Sequence, residues 1–381
     1  MKRLDSVDLV RGAIMIVMAL DHTRDFFGVP GISPTNVSSA GTALFFTRWI
    51  THFCAPVFFL LTGTGAYLSL RKKSVSDLSR LLFTRGLWLI VVEVVVLRCL
   101  GYQFNFDYRL TLLIVLWALG WSMITLSALV HLPLPAITAF GLVLIAGHNL
   151  LDGIGPTTAW LTVLHGQGFL INGPHTVFVA YPLIPWVGVT AVGFGLGRIY
   201  DWPAEPRRAF LLRTGLLLTA AFVVLRGINS YGDPSRWRHQ AAPMMTVLSF
   251  LNATKQPPSL LFLLMTLGPA LLMLRAAERA TPRWLQPALV LGRVPMFYYM
   301  LHFTLLHLLA VAGAYARYHD AHWMFESPDI ANYPFTPPPG WGYALPVVYA
   351  VWIGVVAAMY PLCRWFAGVK QRRHEAWLSY L

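Results

Sequence analysis

The chain has 381 residues, of which 56% are hydrophobic, 14% aromatic and only 12% charged. Ordinary soluble domains carry about 25% charged residues, so this composition excludes an average soluble protein and predicts a membrane protein. The formal net charge of +13 does not indicate nucleic-acid binding, because the basic residues fall in short clusters between apolar runs. The three cysteines have neither metal-ligand nor disulfide spacing, so we expect no metal cofactor.

Apolar runs of about 20 residues, the length needed to cross the hydrocarbon core, recur along the whole chain. They predict an all-α, polytopic membrane helical bundle that forms a single domain over residues 1–381. About ten transmembrane helices are predicted, at residues 8–27, 45–70, 81–100, 110–131, 134–152, 176–199, 208–228, 258–275, 286–315 and 343–367.

An even number of spans places both termini on one side of the membrane. Most of the 29 Lys and Arg residues then lie in the segments on that side, so the positive-inside rule predicts cytoplasmic termini, N-in and C-in. Three long connections, residues 153–175, 229–257 and 316–342, lie on the outer side. Long loops in compact domains tend to bind ligands, so we expect a polar substrate on the outer face.

Residues 3–70 are predicted to form a hairpin of two apolar helices, and the remaining spans, about 81–367, enclose it. Both helices carry ionisable residues, and a charge facing lipid costs about 2.5–3.5 kcal/mol on insertion scales. Such residues face a bundle interior, a water-filled cavity or each other, so we expect this hairpin to contain the chemistry. They are Asp8, Arg11, Asp21, His22 and Arg24 in the first helix, and Arg48 and His52 in the second.

His22 and His52 are the leading candidates for catalysis. Both are predicted to lie in the outer half of the membrane, where a histidine can act as general base on an incoming amine or hydroxyl. Asp21 or Asp25 can orient such a base, and Arg24 or Arg48 can stabilise a developing oxyanion. The alternative is an internal polar cluster that only fixes the packing of the helices.

The inner basic clusters include Arg71 and Lys72, which could hold the phosphates of a nucleotide-bearing donor such as coenzyme A. The positive-inside rule also accounts for these clusters without a ligand. Glu93 is the only carboxylate in the span 81–100 and must be paired or protonated, with Arg98 as one candidate partner. Whether Glu93 binds substrate or serves the structure stays open.

The span at 176–199 contains several glycines among apolar residues, at positions 188, 193, 195 and 197. A dinucleotide-binding loop needs a strand, a turn and a helix around its glycines, and the sequence here predicts only a helix. Close contact between helices through small residues is the better explanation.

Later in the chain, Lys255 precedes the span 258–275 on the outer side, where it binds an anionic substrate group or extends to the membrane interface. Tyr298 and His302 are four residues apart and share one face of the span 286–315. His302 either lines a channel for an acyl donor or forms a hydrogen bond between helices.

Several segments resemble bacterial membrane proteins grouped with the heparan-alpha-glucosaminide N-acetyltransferase catalytic domain. They include RLDSVDLVRG, LDHTRDFF, HFCAPVFFLLTG, YPLIPWVGV and GRVPMFYYMLH, so the resemblance spans most of the chain. On the pattern R-x-x-S-x-D-x-x-R-G, the matching positions are Arg3, Ser6, Asp8, Arg11 and Gly12.

The resemblance implies a multi-pass acyltransferase of the bacterial inner membrane. Similar enzymes take an acetyl group from cytosolic acetyl-CoA and transfer it to a sugar amine on the far side. The acceptor expected here is an amine or hydroxyl of an extracytoplasmic carbohydrate or envelope glycan. The expected partners are therefore the lipid bilayer, the acyl donor and this acceptor, and a homodimer remains open.

The enzyme after which this family is named is lysosomal, and its catalytic histidine lies in its first outer loop. Residues 25–44 here contain no histidine. We therefore place catalysis on the residues that flank this loop, with His22 as base and His52 as its neighbour. We expect Lys255 and Glu93 to contact substrate. The residues expected at the donor are Arg3, Asp8, Arg11, Arg71, Lys72, Tyr298 and His302.

Two other classes of function fit the same residues. A proton- or ion-coupled transporter would use the intramembrane His, Asp and Arg side chains as a conduction path. A non-catalytic membrane scaffold would use them only for stability.

Overall fold

The computed structural model describes residues 4–36, 41–155, 158–279, 282–373 and 375–380. Arg3, one of the expected donor-binding residues, lies outside these ranges. The α-helices are α1 (Asp5–Phe27), α2 (Thr42–Thr51), α3 (Cys54–Ser69), α4 (Val75–Val91), α5 (Val115–Leu129), α6 (Leu134–Gly147), α7 (Ala159–Leu164), α8 (Leu183–Leu196), α9 (Ala204–Ile228), α10 (Pro243–Leu251), α11 (Leu260–Ala277), α12 (Gln286–Arg293), α13 (Pro295–Tyr318) and α14 (Leu345–Arg372).

Several of these helices continue with a different hydrogen-bonding pattern. A π-helix, Val92–Tyr102, follows α4, and 3-10 turns follow α6 (His148–Leu151) and α8 (Gly197–Asp201). Further 3-10 turns are Arg283–Leu285, His322–Phe325, Ile330–Asn332 and Ala376–Ser379.

Serine and threonine side chains begin several helices, as their small side-chain acceptors predict. The Ser74 hydroxyl accepts the Asp77 N–H at 3.1 Å, and the Ser259 hydroxyl accepts the Phe262 N–H at 3.0 Å. The second of these caps fixes the start of α11, directly after the segment that carries Lys255.

The prediction of a helical membrane bundle is confirmed. Within the described ranges, seven helical segments are long and apolar enough to cross a membrane: Thr42–Ser69, Leu134–Leu151, Leu183–Asp201, Ala204–Ile228, Leu260–Ala277, Pro295–Tyr318 and Leu345–Arg372. Helix α1 is as long as these, but its acidic and basic residues make it more polar, and α5 is a shorter apolar helix.

Three predicted spans have different bounds. The span 110–131 begins with the strand β1 (Leu110–Leu113), and the span 176–199 begins with β3 (Thr176–Val179). These strands and β2 (Gly168–Ile171) form a small sheet in the order β1-β3-β2, parallel between β1 and β3 and antiparallel between β2 and β3. The span 286–315 is divided between α12 and α13, with Pro295 at the start of α13, where proline is best tolerated.

Helix α1 crosses α12 at very short distance through two glycines. A Cβ added at Gly12 would lie 1.7 Å from the Ala288 carbonyl oxygen, and one added at Gly292 would lie 1.8 Å from the Asp8 carbonyl oxygen. Only hydrogen fits at either position, which gives a packing reason for the glycine that ends the R-x-x-S-x-D-x-x-R-G pattern.

The glycines of α8 serve the same purpose against α3. A Cβ at Gly193 would lie 2.2 Å from the Leu60 carbonyl oxygen, and one at Gly63 would lie 2.0 Å from the Thr190 carbonyl oxygen. The prediction that small residues in this span permit close helix packing is confirmed.

The segment before α14 covers the carboxyl end of α1. The Trp341 indole N–H donates to the Phe26 carbonyl at 3.2 Å, and the Tyr343 N–H donates to the Phe27 carbonyl at 2.8 Å. These bonds satisfy carbonyl groups that the end of a helix leaves without intrahelical partners.

Candidate active site

One face of α1 lines an elongated cavity of about 380 Å³. Arg11, Met15, Met18 and His22 contribute to it from α1, with spacings of four, three and four residues that place them on a single helix face. Apolar side chains from α3, α4 and α5 form most of the remaining wall, including Phe58, Leu61, Leu78, Leu82, Leu89, Leu116 and Met123. The cavity therefore has an apolar middle and two ends that carry polar and charged groups.

The first end, which we call the basic end, is lined by four cationic residues from different parts of the chain. They are Arg11 from α1, Arg85 from α4, Arg293 from α12 and Lys370 from α14. The Arg11 guanidinium donates to Asp8 at 3.0 Å and to the Gly292 carbonyl at 3.2 Å, so the α1–α12 contact also positions this side chain. Arg293 pairs with Asp5 at 3.2 Å, so two of the four cations have an aspartate beside them. Clusters of Arg and Lys are typical of sites that bind phosphate groups.

The opposite end, the histidine end, contains His22. Its Nδ1 lies 2.7 Å from Nε2 of His302 on α13, and Nδ1 of His302 lies 3.0 Å from the Tyr298 carbonyl oxygen. The His22 ring stacks on the Phe303 ring, with ring centroids 4.0 Å apart.

These hydrogen bonds determine the tautomers. A carbonyl oxygen can only accept, so Nδ1 of His302 carries a proton and Nε2 of the neutral ring is an acceptor. His22 must then donate its own Nδ1 proton to His302, which leaves the lone pair on His22 Nε2. An imidazole nitrogen with its lone pair available can act as a general base.

Asp21, beside His22, also lines the cavity and is held between two arginines. It pairs with Arg24 at 2.9 Å and with Arg48 of α2, and Arg24 also pairs with Asp25 at 2.6 Å. Three of the five predicted catalytic residues, Asp21, Arg24 and Arg48, therefore form one ion-pair cluster beside His22.

Lys255 reaches the same end of the cavity from the segment between α10 and α11. The Asp233 carboxylate fixes this segment, accepting from the Thr254 N–H at 2.9 Å and from the Ser259 hydroxyl at 2.9 Å. Burial lowers the pKa of Lys255 to about 8, and the Arg48 guanidinium acts in the same direction. With Arg24, Arg48 and Lys255 opposite Asp21 and Asp25, the histidine end keeps a positive charge that suits an oxyanion.

Two predicted residues, His52 and Glu93, do not line the cavity. His52 is buried with its ring against Phe262, at a centroid distance of 5.3 Å, and the ring partner of His22 is His302 instead. The Glu93 carboxylate accepts the Leu116 N–H at 2.7 Å and the Trp117 N–H at 3.3 Å, so it satisfies the amino end of α5. Arg98 does not pair with Glu93. It donates to Asp107 and Ser327.

Three residues expected at the donor also lie away from the cavity wall. Arg71 donates to Asp201 and to the Tyr200 carbonyl, both at 2.7 Å, which ties the end of α3 to the turn after α8. Lys72 is exposed, and the Tyr298 side chain is buried against the His302 ring. Of the described donor candidates, Arg11 lines the cavity, Asp8 orients Arg11, and His302 orients His22.

Sequence reasoning missed Arg85, Arg293 and Lys370 as site residues, and also Tyr181 and Tyr299 at the histidine end. The available signal was weak, because the first three lie near the inner ends of separate predicted spans, where the positive-inside rule already explains a basic residue. Only their convergence on one cavity distinguishes them.

A comparison with protein families matches residues 3–230 to the family described as heparan-alpha-glucosaminide N-acetyltransferase, catalytic. The match covers more than half of the 381 residues and includes α1 through α9. The chain belongs to this family. A comparison with curated proteins finds no match.

Membership of the heparan-alpha-glucosaminide N-acetyltransferase family confirms the resemblance seen in the sequence. Together with the seven apolar helices, it makes the chain a multi-pass integral membrane protein of an acyltransferase family. The transporter alternative is not favoured by this family. The matched region contains α1, with the cavity-lining residues Arg11, Asp21 and His22, and ends before Lys255 and His302.

Proposed function

We propose that this protein transfers an acyl group, acetyl in the first instance, from cytosolic acyl-CoA to an acceptor on the opposite side of the bacterial inner membrane. The acceptor would be an amine or hydroxyl of a carbohydrate or envelope glycan. The observation that carries this proposal is the single cavity that joins four cations at its basic end to the His22 base at its histidine end. Family membership supports the acyl-transfer chemistry.

The basic end suits the phosphate groups of coenzyme A. Arg11, Arg85, Arg293 and Lys370 would bind them, in preference to Arg71 and Lys72, which lie away from the cavity wall. From Arg11 to His22 the cavity follows α1 for about 16 Å at 1.5 Å per residue, along apolar side chains. The linear pantetheine arm would occupy this route and place the thioester beside His22.

His22 and Lys255 would then divide the chemistry between them. His22 Nε2 takes the proton of the acceptor amine or hydroxyl as its nitrogen or oxygen attacks the thioester carbonyl carbon. Lys255 stabilises the oxyanion of the tetrahedral intermediate. When the C–S bond breaks, the electron pair stays on sulfur, and the proton held by His22 can pass to the coenzyme A thiolate.

A second cavity, of about 250 Å³, is a suitable place for the acceptor. Its lining includes the charged pair Arg24 and Asp25 together with the aromatic residues Tyr333, Trp341 and Tyr343. Arg24 and Asp25 follow His22 on α1, so this cavity lies close along the helix to the histidine end. The Asp25 carboxylate would bind the amine of an amino sugar, and the aromatic side chains would pack against the sugar ring.

The test is acyl transfer by purified protein in liposomes, with labelled acetyl-CoA and an amino-sugar acceptor. We expect His22→Ala to lower the transfer rate by a factor of roughly 10² to 10⁴, as for the loss of a general base, while acetyl-CoA binding is retained. His131→Ala is the control, because His131 is exposed and lies outside both cavities. A folded His22→Ala protein that transfers at the wild-type rate would contradict the proposal.

A further inference from the structure

A second cluster of polar side chains lies outside the two cavities, where α6 ends. His148 opens the 3-10 turn after α6, Asp152 follows that turn, and His165 lies directly after α7. One ligand atom from each residue lies within 4.8 Å of the others, and His165 Nε2 is 3.2 Å from a carboxylate oxygen of Asp152. Two imidazoles and a carboxylate are thus brought to one place from positions 4 and 13 residues apart.

Two ring nitrogens of this cluster are buried and poorly satisfied. His165 Nδ1 has no hydrogen-bond partner among the described residues. The His148 residue is only 3% exposed, and within the same part of the chain its ring has no well-formed hydrogen bond, only a contact with the Pro258 backbone. Burying a polar group without a partner is costly, and a shared ligand would satisfy both rings, whose centroids lie 5.5 Å apart.

We propose that His148, Asp152 and His165 bind a divalent transition-metal ion, with zinc as the best match. Imidazole nitrogen and carboxylate oxygen are both ligands of zinc, and three protein ligands leave a fourth position for water. Zinc–ligand bonds of about 2.0–2.2 Å require the three donor atoms to lie closer together than the separations of up to 4.8 Å seen here. Rotation of the side chains on a turn and a helix end can supply that movement.

Asn149 orients the carboxylate and links this metal site to α11. Its amide N–H donates to Asp152 at 2.7 Å, and its side-chain oxygen accepts the Leu260 N–H at 2.9 Å. Outer-shell hydrogen bonds of this kind hold a ligand in the orientation that a metal needs. The bound ion would therefore fasten the end of α6, α7 and the start of α11, close along the chain to Lys255. Fastening these elements does not depend on acyl transfer.

The test is metal binding to full-length protein that carries no polyhistidine tag, stripped with a chelator and then equilibrated with zinc. We expect about one zinc per chain by elemental analysis, and a higher thermal unfolding midpoint with zinc than without it. His165→Asn and Asp152→Asn should each weaken zinc binding at least tenfold, whereas His131→Asn, outside the cluster, should bind as the wild type does.

The test uses variants of two different ligand residues, so that it remains valid if one of these variants does not fold. Absorption of cobalt substituted for zinc reports whether histidine and carboxylate ligands surround the ion. Folded wild-type protein that takes up no zinc, or equal zinc affinity in wild type and both ligand variants, would overturn the proposal.

Discussion

At the scale of single residues, the histidine end shows how one hydrogen bond selects the chemistry of a side chain. His22 can act as a base at Nε2 because His302 occupies its Nδ1, and His302 is itself fixed by the Tyr298 carbonyl. In the proposed acyl transfer, His302 would therefore be a positioning residue that acts through His22. The Asp21 carboxylate, which the sequence suggested as the group that orients the base, is instead held by Arg24 and Arg48.

Lys255 gives the acyl-transfer proposal a pH dependence. Because burial lowers its pKa to about 8, the ammonium is present below that pH and is lost as the pH rises through it. We expect the transfer rate to fall on the alkaline side with a midpoint near pH 8. Lys255→Arg should move this fall to higher pH, because a guanidinium stays protonated. The pH–rate profiles of the two proteins are the measurement.

The same profiles can refute this role. If Lys255→Arg retains activity and its alkaline limb coincides with that of the wild type, another group produces the limb. Lys255→Met then tests whether any cation is needed, because it preserves most of the side-chain length and removes the charge.

Among the helices, α1 has two faces that contact different parts of the molecule. Gly12 and the backbone of Asp8 contact α12, while Arg11, Met15, Met18 and His22 line the cavity. The close crossing with α12 sets the position of α1 along its own axis, and so where Arg11 and His22 lie relative to the residues that other helices contribute to the two ends.

A methyl group at Gly12 should therefore destabilise the protein. Gly12→Ala places a Cβ against the Ala288 backbone, which cannot move as a side chain tip can, and overpacking costs typically about 1–3 kcal/mol. Gly354→Ala is the matched control, because nothing lies within 4 Å of a Cβ there in α14. Alanine favours an exposed helix by about 1 kcal/mol over glycine, so the control should be neutral or stabilised.

Thermal unfolding in one detergent compares the two variants. A lower unfolding midpoint for Gly12→Ala than for Gly354→Ala is the expected order, despite the identical chemical change. Equal midpoints would show that α1 and α12 can separate at no cost.

At the scale of the whole molecule, charge is divided between the two ends of one cavity. Four cations from α1, α4, α12 and α14 line the basic end. We propose that this end lies on the cytoplasmic side, as the positive-inside rule predicts. A donor that carries several phosphates would be attracted to that side, and the acceptor would meet it at the other end.

We expect acetyl-CoA affinity to fall roughly tenfold to a hundredfold in Lys370→Gln, by the loss of one charge-assisted contact worth about 1.5–3 kcal/mol. Arg71→Gln is the matched control, because the structure pairs Arg71 with Asp201 away from the cavity. Calorimetry on both proteins gives the comparison. If Arg71→Gln weakens binding and Lys370→Gln does not, the donor lies at the inner loops that the sequence suggested.

Much of this architecture follows from the sequence because it depends on local patterns. The length of an apolar run predicts a helix that can cross a membrane, and glycines among apolar residues predict close helix crossings such as that of Gly193 with Leu60. The bounds failed where an apolar run formed β1 or β3, because a short apolar run has no periodicity that separates a strand from a helix.

The sequence alone indicated the class of protein, its helical bundle and its family, and it suggested the polar face of α1 as the candidate site. Only the tertiary structure selected the partners of that face: His302, 280 residues from His22, and the cations Arg85, Arg293 and Lys370. The physical reason is that helix periodicity shows which side chains share a face but not which helix covers it. In a membrane, lipid-facing and helix-facing surfaces are equally apolar, so that choice rests on how all the helices fit together.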